Sequence, residues 1–147
     1  MVATVRRDRL TNREDYVAQE FSTSIEVRFS DLDAYGHVNS AVYFTYLETA
    51  RVKLFSRVFQ EASDAQLFIV VGKAECTYNI PIMLHDAVQV TVTMPRMGNS
   101  SFDLEYRLHD NAGKTYATAK TTMVCFDNVK KAPTRVPELL RELGHHT

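Results

Sequence analysis

The chain has no tryptophan, two cysteines, four prolines and five glycines in 147 residues. Two cysteines cannot make a disulfide scaffold. Cys76 and Cys125 also lack metal-ligand spacing; each falls in a strand-like segment and reads as a buried thiol. The few prolines and glycines form no linker, and there is no repeat or low-complexity tract. Long apolar runs are missing as well: the longest is Leu67 to Val71, far short of the ~20 residues a membrane helix needs. No charge of either sign is in excess, since 17 Lys and Arg face 18 Asp and Glu. That balance argues against nucleic acid or an anionic membrane as the main partner. The start, MVATVRRDRLTNRED, has an Arg pair with no apolar stretch behind it, so it does not read as an export signal, and the expected location is cytoplasmic.

What is present is ordinary globular material, 45% hydrophobic and 24% charged. A chain of this length fits one domain able to bury about 68–70% of its unfolded surface. Residues 1–21 are charged and weakly patterned and read as a peripheral lead-in, leaving 22–147 as the domain. From Ser24, Ile25, Val27 and Phe29 alternate with polar residues, which predicts a half-buried strand. From about Asn39 to Phe59 there is no Gly or Pro. Apolar residues there recur at Tyr43, Tyr46, Leu47, Ala50, Leu54 and Val58, with Phe44 and Phe55 widening the face. That spacing predicts one long helix that something must wrap. Four more strands are expected: Leu67 to Tyr78, Val88 to Met94, Phe102 to His109, and Thr115 to Phe126. A short helix follows in VPELLREL. The order β-α-β-β-β-β predicts an α+β fold, one helix wrapped by a five-stranded, mostly antiparallel sheet that self-associates through its exposed edge.

Between the first strand and the helix lies DLDAYGHVN, residues 31–39. It starts like a calcium loop, but the twelfth position is Val42 instead of a bidentate Glu. Either Asp31 or Asp33 could simply serve the helix start, although Asn39 and Ser40 are already good caps. Gly36 reads as a backbone requirement or a point of close approach, and His37 as a base or a hydrogen-bonded structural residue. Glu48 and Arg51 are three apart, so they either pair on the helix surface or turn a carboxylate toward a pocket. Chemically, the junction offers a carboxylate beside the unpaired N–H groups of a helix start, a combination suited to hydrolysis of an activated acyl group.

The stretch VRFSDLDAYGHVNSAVYFTYLETAR, Val27 to Arg51, resembles the hotdog-fold acyl-CoA thioesterases, specifically the 4-hydroxybenzoyl-CoA thioesterase-like branch. The likeness continues through AECTYNIPIMLHDAVQVTV, GNSSFDLEYRL and RVP, covering roughly residues 22–137. The resemblance implies that Asp33 is the catalytic nucleophile or base and that N–H groups around Val38 to Ser40 hold the thioester carbonyl. Gly36, His37 and Asn39 would shape the turn, and Glu48 would approach from the helix. The branch's usual second Asn is Ser40 here. The acyl group would lie between subunits of a homodimer or homotetramer; Tyr35, Tyr43, Phe44, Tyr46, Phe68 and Val70 read either as the wall of its pocket or as core. Arg96, Asn99, Ser100 and Ser101 would hold the nucleotide end of coenzyme A, which is part of the substrate; no separate cofactor or metal is expected. An acyl-carrier-protein thioester is the alternative substrate. A dehydratase using His37, and a non-catalytic acyl-thioester binder, are the other readings. The acyl chain itself is not fixed by the sequence.

Overall fold

In the computed structural model, which describes residues 6–9 and 17–144, an antiparallel sheet packs around a 23-residue helix. The elements are β1 (Arg6–Arg9), β2 (Val17–Ile25), α1 (Val42–Asp64), β3 (Leu67–Tyr78), β4 (Val88–Met97), β5 (Ser101–His109), β6 (Thr115–Asp127), β7 (Ala132–Pro133) and α2 (Glu138–Leu143). The sheet order is β1-β2-β4-β5-β6-β3, with the two-residue β7 beside β6.

The helix forms where its apolar spacing predicts. Tyr43, Tyr46, Leu47, Ala50, Phe55, Val58 and Ala62 make its buried stripe. They meet the inward residues of the strands, among them Val88, Val90, Val92, Met94, Phe102, Leu104 and Leu108. Each fully buried side chain of this size contributes about 1.5–3 kcal/mol, so this layer is the main stabilising element. The helix starts three residues later than expected, because Asn39 Oδ1 takes the Ala41 N–H at 2.9 Å and holds a turn there. It ends later too, running to Asp64 across an irregular backbone position at Phe55.

Three expectations need correction. The sheet carries six strands along its main order, not five. The additional strand, β1, pairs with β2 from Arg6↔Glu20 to Arg9↔Val17, and its RRDR sequence has no alternation to mark it. β2, Val17–Ile25, runs across the position expected to separate lead-in from domain, between residues 21 and 22. Residues 1–5, 10–16 and 145–147 of the expected lead-in and domain lie outside the described residues. The alternation through Phe29 does not continue the strand. Residues Phe29–Asp31 form a 3-10 turn and Phe29 is 80% exposed, because the Asp31 carboxylate reaches back to the Arg28 N–H at 2.9 Å. Finally, Glu48 and Arg51 do not pair on the surface. Arg51 turns inward to the Tyr106 hydroxyl at 3.2 Å, which shares a 2.7 Å hydrogen bond with Thr121, while Glu48 stays exposed.

One edge of the sheet stands open. Among the described residues β3 pairs only with β6, and all its residues are exposed except Leu67, Ile69 and Cys76, which are half-buried; Phe68, Val70, Val71 and Tyr78 are thus left uncovered by them. An edge of this length with apolar side chains is a template for another strand.

Candidate active site

The junction folds into a tight turn built by one carboxylate. Asp33 Oδ1 accepts the N–H groups of Tyr35 at 2.8 Å and His37 at 3.2 Å, and the Asp33 N–H donates to the His37 carbonyl at 2.7 Å. Gly36 sits inside this turn at φ +77°, where other residues are strained, and no described residue lies within 4 Å of where a β-carbon would stand. Its need is therefore conformational. Asp33 Oδ2 makes no hydrogen bond to a described residue.

Asp31, two residues away, has a different task. It is 2% exposed and accepts the Arg28 N–H, the Arg28 guanidinium and the Tyr46 hydroxyl at 2.7 Å. Burial pushes its carboxyl up, but these hydrogen bonds and the Arg28 charge outweigh it and hold the group below the usual carboxylate range. Burial and the Asp31 carboxylate together push the Tyr46 hydroxyl well above its ordinary value. Asp31 thus ties the turn to α1 and has no free oxygen for chemistry.

The three N–H donors expected around the helix start are not equivalent. Val38 N–H donates to the Ile82 carbonyl at 2.8 Å and Asn39 N–H to the Asp31 carbonyl at 2.9 Å. Ser40 N–H has no partner among the described residues. Its peptide plane is nonetheless held, because the Asn39 carbonyl accepts the Val42 N–H at 2.9 Å and the Asn39 side chain takes that of Ala41. Such a fixed, unspent donor is what an oxyanion requires.

These groups line a cleft of about 350 Å³ walled by Asp33, His37, Val38, Ser40, Tyr43, Tyr78, Asn79, Ile80 and Pro81. Tyr43 is its buried aromatic wall, accepting the Ile82 N–H at 3.3 Å, and burial raises its hydroxyl's pKa. Tyr78 was not singled out by the sequence. It stacks edge-on against Tyr43 at 4.8 Å and donates its hydroxyl to the Ser40 carbonyl at 2.7 Å, clamping the residue that carries the free N–H. Nothing local to TYNIP marks it, since the contact joins positions 38 residues apart. Glu48 is not among the residues lining the cleft.

The remaining expected contacts lie elsewhere. Val70 pairs with Val124, which pairs with Ser101, so Val70 and the loop after Met97 share one end of the sheet. Tyr78 and the cleft are at the other end of β3, eight residues or roughly 26 Å away along a strand. Arg96 is engaged there. Its Nε and Nη2 grip Asp103 at 2.9 and 3.1 Å, and Nη2 also reaches Ser101 Oγ at 3.0 Å. Asn99 and Ser100 are held through their carbonyls, by Val136 and Cys125 N–H groups. A second cation unmarked in the sequence, Arg141 of α2, donates to the Gly98 and Asn99 carbonyls at 2.7 and 2.9 Å.

Comparison with known proteins places this arrangement. The family model of the thioesterase-like superfamily matches residues 27–143. The long-chain acyl-CoA thioesterase FadM of Escherichia coli is 32% identical over 108 residues, 71% of this chain and 82% of that protein. Among solved structures, the PA2801 protein of Pseudomonas aeruginosa is 36% identical at a TM-score of 0.75, covering 82% of this chain and 95% of the other. A thioesterase from Thermus thermophilus, solved with coenzyme A and zinc, is 33% identical at a TM-score of 0.71, covering 89% and 94%. With most of the chain matched and the turn, helix and sheet in these positions, the protein belongs to the thioesterase-like superfamily and is a hotdog-fold thioester hydrolase.

Proposed function

We propose that the protein hydrolyses an acyl-CoA thioester to the free acid and coenzyme A, using Asp33 and the Ser40 N–H. The observation that carries this reading is the pairing, in one cleft, of a carboxylate oxygen and a backbone donor that both lack a partner among the described residues. Asp33 Oδ1 is tied into the turn, so Oδ2 is the reactive atom. It either adds to the thioester carbon or takes a proton from the water that adds. In both routes the carbonyl oxygen gains negative charge, which the Ser40 N–H meets by donating a hydrogen bond. Collapse of the tetrahedral species breaks the carbon–sulfur bond and releases the thiolate, which takes up a proton; on the nucleophilic route water then cleaves the mixed anhydride left on Asp33, giving the free acid and restoring the carboxylate. The relatives named for acyl-CoA hydrolysis or solved with coenzyme A favour a coenzyme A thioester over a carrier-protein one.

A second copy completes the site in this reading. The loop from Arg96 to Ser101 and the exposed Val70 lie at the wrong end of β3 to reach the cleft of their own chain. Two β3 edges paired antiparallel about their middles bring each loop next to the other chain's cleft. The nucleotide end of coenzyme A then meets Arg141 and the loop's polar groups, while Arg96 keeps Asp103.

The test is release of free thiol from aromatic, short-chain and long-chain acyl-CoA thioesters by the wild type and by Asp33→Asn. The amide keeps the shape and can still accept the turn's N–H groups but is neither a base nor an efficient nucleophile. The variant's kcat should fall by at least ~10²-fold with binding largely kept. Near-normal hydrolysis by folded Asp33→Asn would exclude the mechanism.

A further inference from the structure

Arg51 lies on the buried face of α1 with 6% of its surface exposed. Among the described residues its side chain makes one hydrogen bond, the 3.2 Å contact to the neutral Tyr106 hydroxyl, and no carboxylate pairs with it. Taking a charge out of water without a counter-ion costs several kcal/mol, so an isolated guanidinium here is incomplete. Its free donors still reach the surface, because the sealed, unpartnered polar atom among the described residues is the Thr23 hydroxyl.

The position of Arg51 identifies what completes it. Tyr106 bonds to Thr121, and Thr121 pairs with Ala74, near the midpoint of β3. The guanidinium therefore lies beside β6, the strand next to the open edge, and level with that edge's middle. If two β3 strands pair about a dyad at that midpoint, the two Arg51 groups approach each other, and like charges need an anion between them. The nearby carboxylates are mostly committed. Asp31 holds Arg28 and Tyr46, and Asp103 holds Arg96 on the outer face of the sheet. Glu75 and Glu105 flank Lys120 on that same outer face, and Glu61 pairs with Arg57. Glu48 remains, exposed one turn of α1 before Arg51. A two-fold interface is self-complementary, so a contact from Glu48 to the second copy's guanidinium occurs twice.

We infer that Glu48 of each chain neutralises Arg51 of a second copy across the β3 dyad, forming a four-charge cluster at the heart of a homodimer. The inference rests on the paired β3 edges of the proposed function and gives the sequence E-T-A-R, residues 48–51, an intermolecular meaning.

The experiment measures dimer dissociation by sedimentation velocity for full-length Glu48→Lys, full-length Arg51→Glu and their equimolar mixture. Each variant alone places like charges together and should dimerise at least about thirtyfold more weakly than the wild type. Mixed, the new lysine of one chain meets the new glutamate of the other, and Arg51 of the first meets Glu48 of the second. The mixture should form a heterodimer of near wild-type affinity. Should Arg51→Glu fail to fold by circular dichroism, Glu48→Gln replaces it and should weaken the dimer by a similar factor with loss of its salt dependence. A mixture that stays monomeric while the wild type dimerises overturns the inference, as does wild-type affinity in Glu48→Gln. Hydrolysis is not part of the readout, so an active dimer indifferent to Glu48 refutes only the ion cluster, whereas a monomeric wild type refutes the shared dimer.

Discussion

Ser40 offers a sharp test, because its backbone and its hydroxyl can be separated. The hydroxyl makes no hydrogen bond to a described residue and the side chain is exposed, so Ser40→Ala removes nothing the fold uses. Ser40→Pro deletes the N–H. That donor is also unused internally, and the Ser40 carbonyl remains for Tyr78 to clamp. Position 40 precedes the first helical residue by two, outside the stretch where a proline would break an i→i−4 bond. The proline variant should therefore fold, as checked by circular dichroism and a thermal melt within a few degrees of the wild type. The lost interaction is one made in the transition state, where removal of an oxyanion donor costs about 2.7–4 kcal/mol, or 10²–10³ in kcat. Ser40→Ala should turn over within about threefold of the wild type in the same thiol-release assay, on the view that only the backbone takes part. A folded proline variant with unimpaired kcat would show that the oxyanion is held elsewhere. Equal losses in both variants would mean that the hydroxyl matters.

Asp31→Asn and Tyr46→Phe should both lower stability, since each disrupts the buried charge-assisted contact between the two residues, and Asp31→Asn also gives up the ion pair with Arg28. A loss of roughly 1.5–3 kcal/mol in urea unfolding is expected, and a smaller loss of turnover than in Asp33→Asn. His109 sets a pH window. It is 5% exposed, with Nε2 on Thr91 at 2.7 Å and Nδ1 accepting the Asn111 N–H at 3.1 Å, and burial followed by the Arg107 charge lowers its pKa from 6.5. A group lowered in the folded state stabilises above its unfolded value and loses that contribution as pH falls. The wild-type melting temperature should therefore drop as pH falls below about 6.5, an interval that begins above the range where Asp31 and Asp103 titrate. His109→Gln, which cannot gain the charge, should show a flatter profile over that interval.

Much of the scaffold was legible in the sequence because it repeats one signal many times. Tyr43, Tyr46, Leu47, Ala50 and Val58 recur at helical spacing, and the strands from Val88 onward alternate cleanly, so element type and order follow. The first strand misled for a local reason. Ile25, Val27 and Phe29 keep the alternation, yet the Asp31 carboxylate closes a turn on Arg28 and leaves Phe29 outside. Asp31 and Asp33 look interchangeable as letters; what separates them is the Tyr46 hydroxyl reaching Asp31 from 15 residues away. Tyr78, Arg141 and the inward turn of Arg51 depend on contacts across 38, 42 or 43, and 55 residues, beyond any periodic pattern. Spacing could equally not show that Val38 and Asn39 spend their N–H groups, leaving one donor of three.

The two borders of the sheet differ, and the difference sets how far assembly can run. A sheet with two adhesive borders would stack copy upon copy into a filament. Among the described residues one border is β3, twelve residues long with several apolar side chains, while the other ends in β1, four residues of sequence RRDR. So short and charged a rim discourages a further strand, and beside it Lys53 already occupies the Ser24 carbonyl of β2 at 2.9 Å. Pairing through the adhesive border uses it up in both copies at once, and the rims left outside are the charged ones. In the dimer proposed above, edge-to-edge growth would terminate at two chains, and the sticky strand would then lead to no polymer.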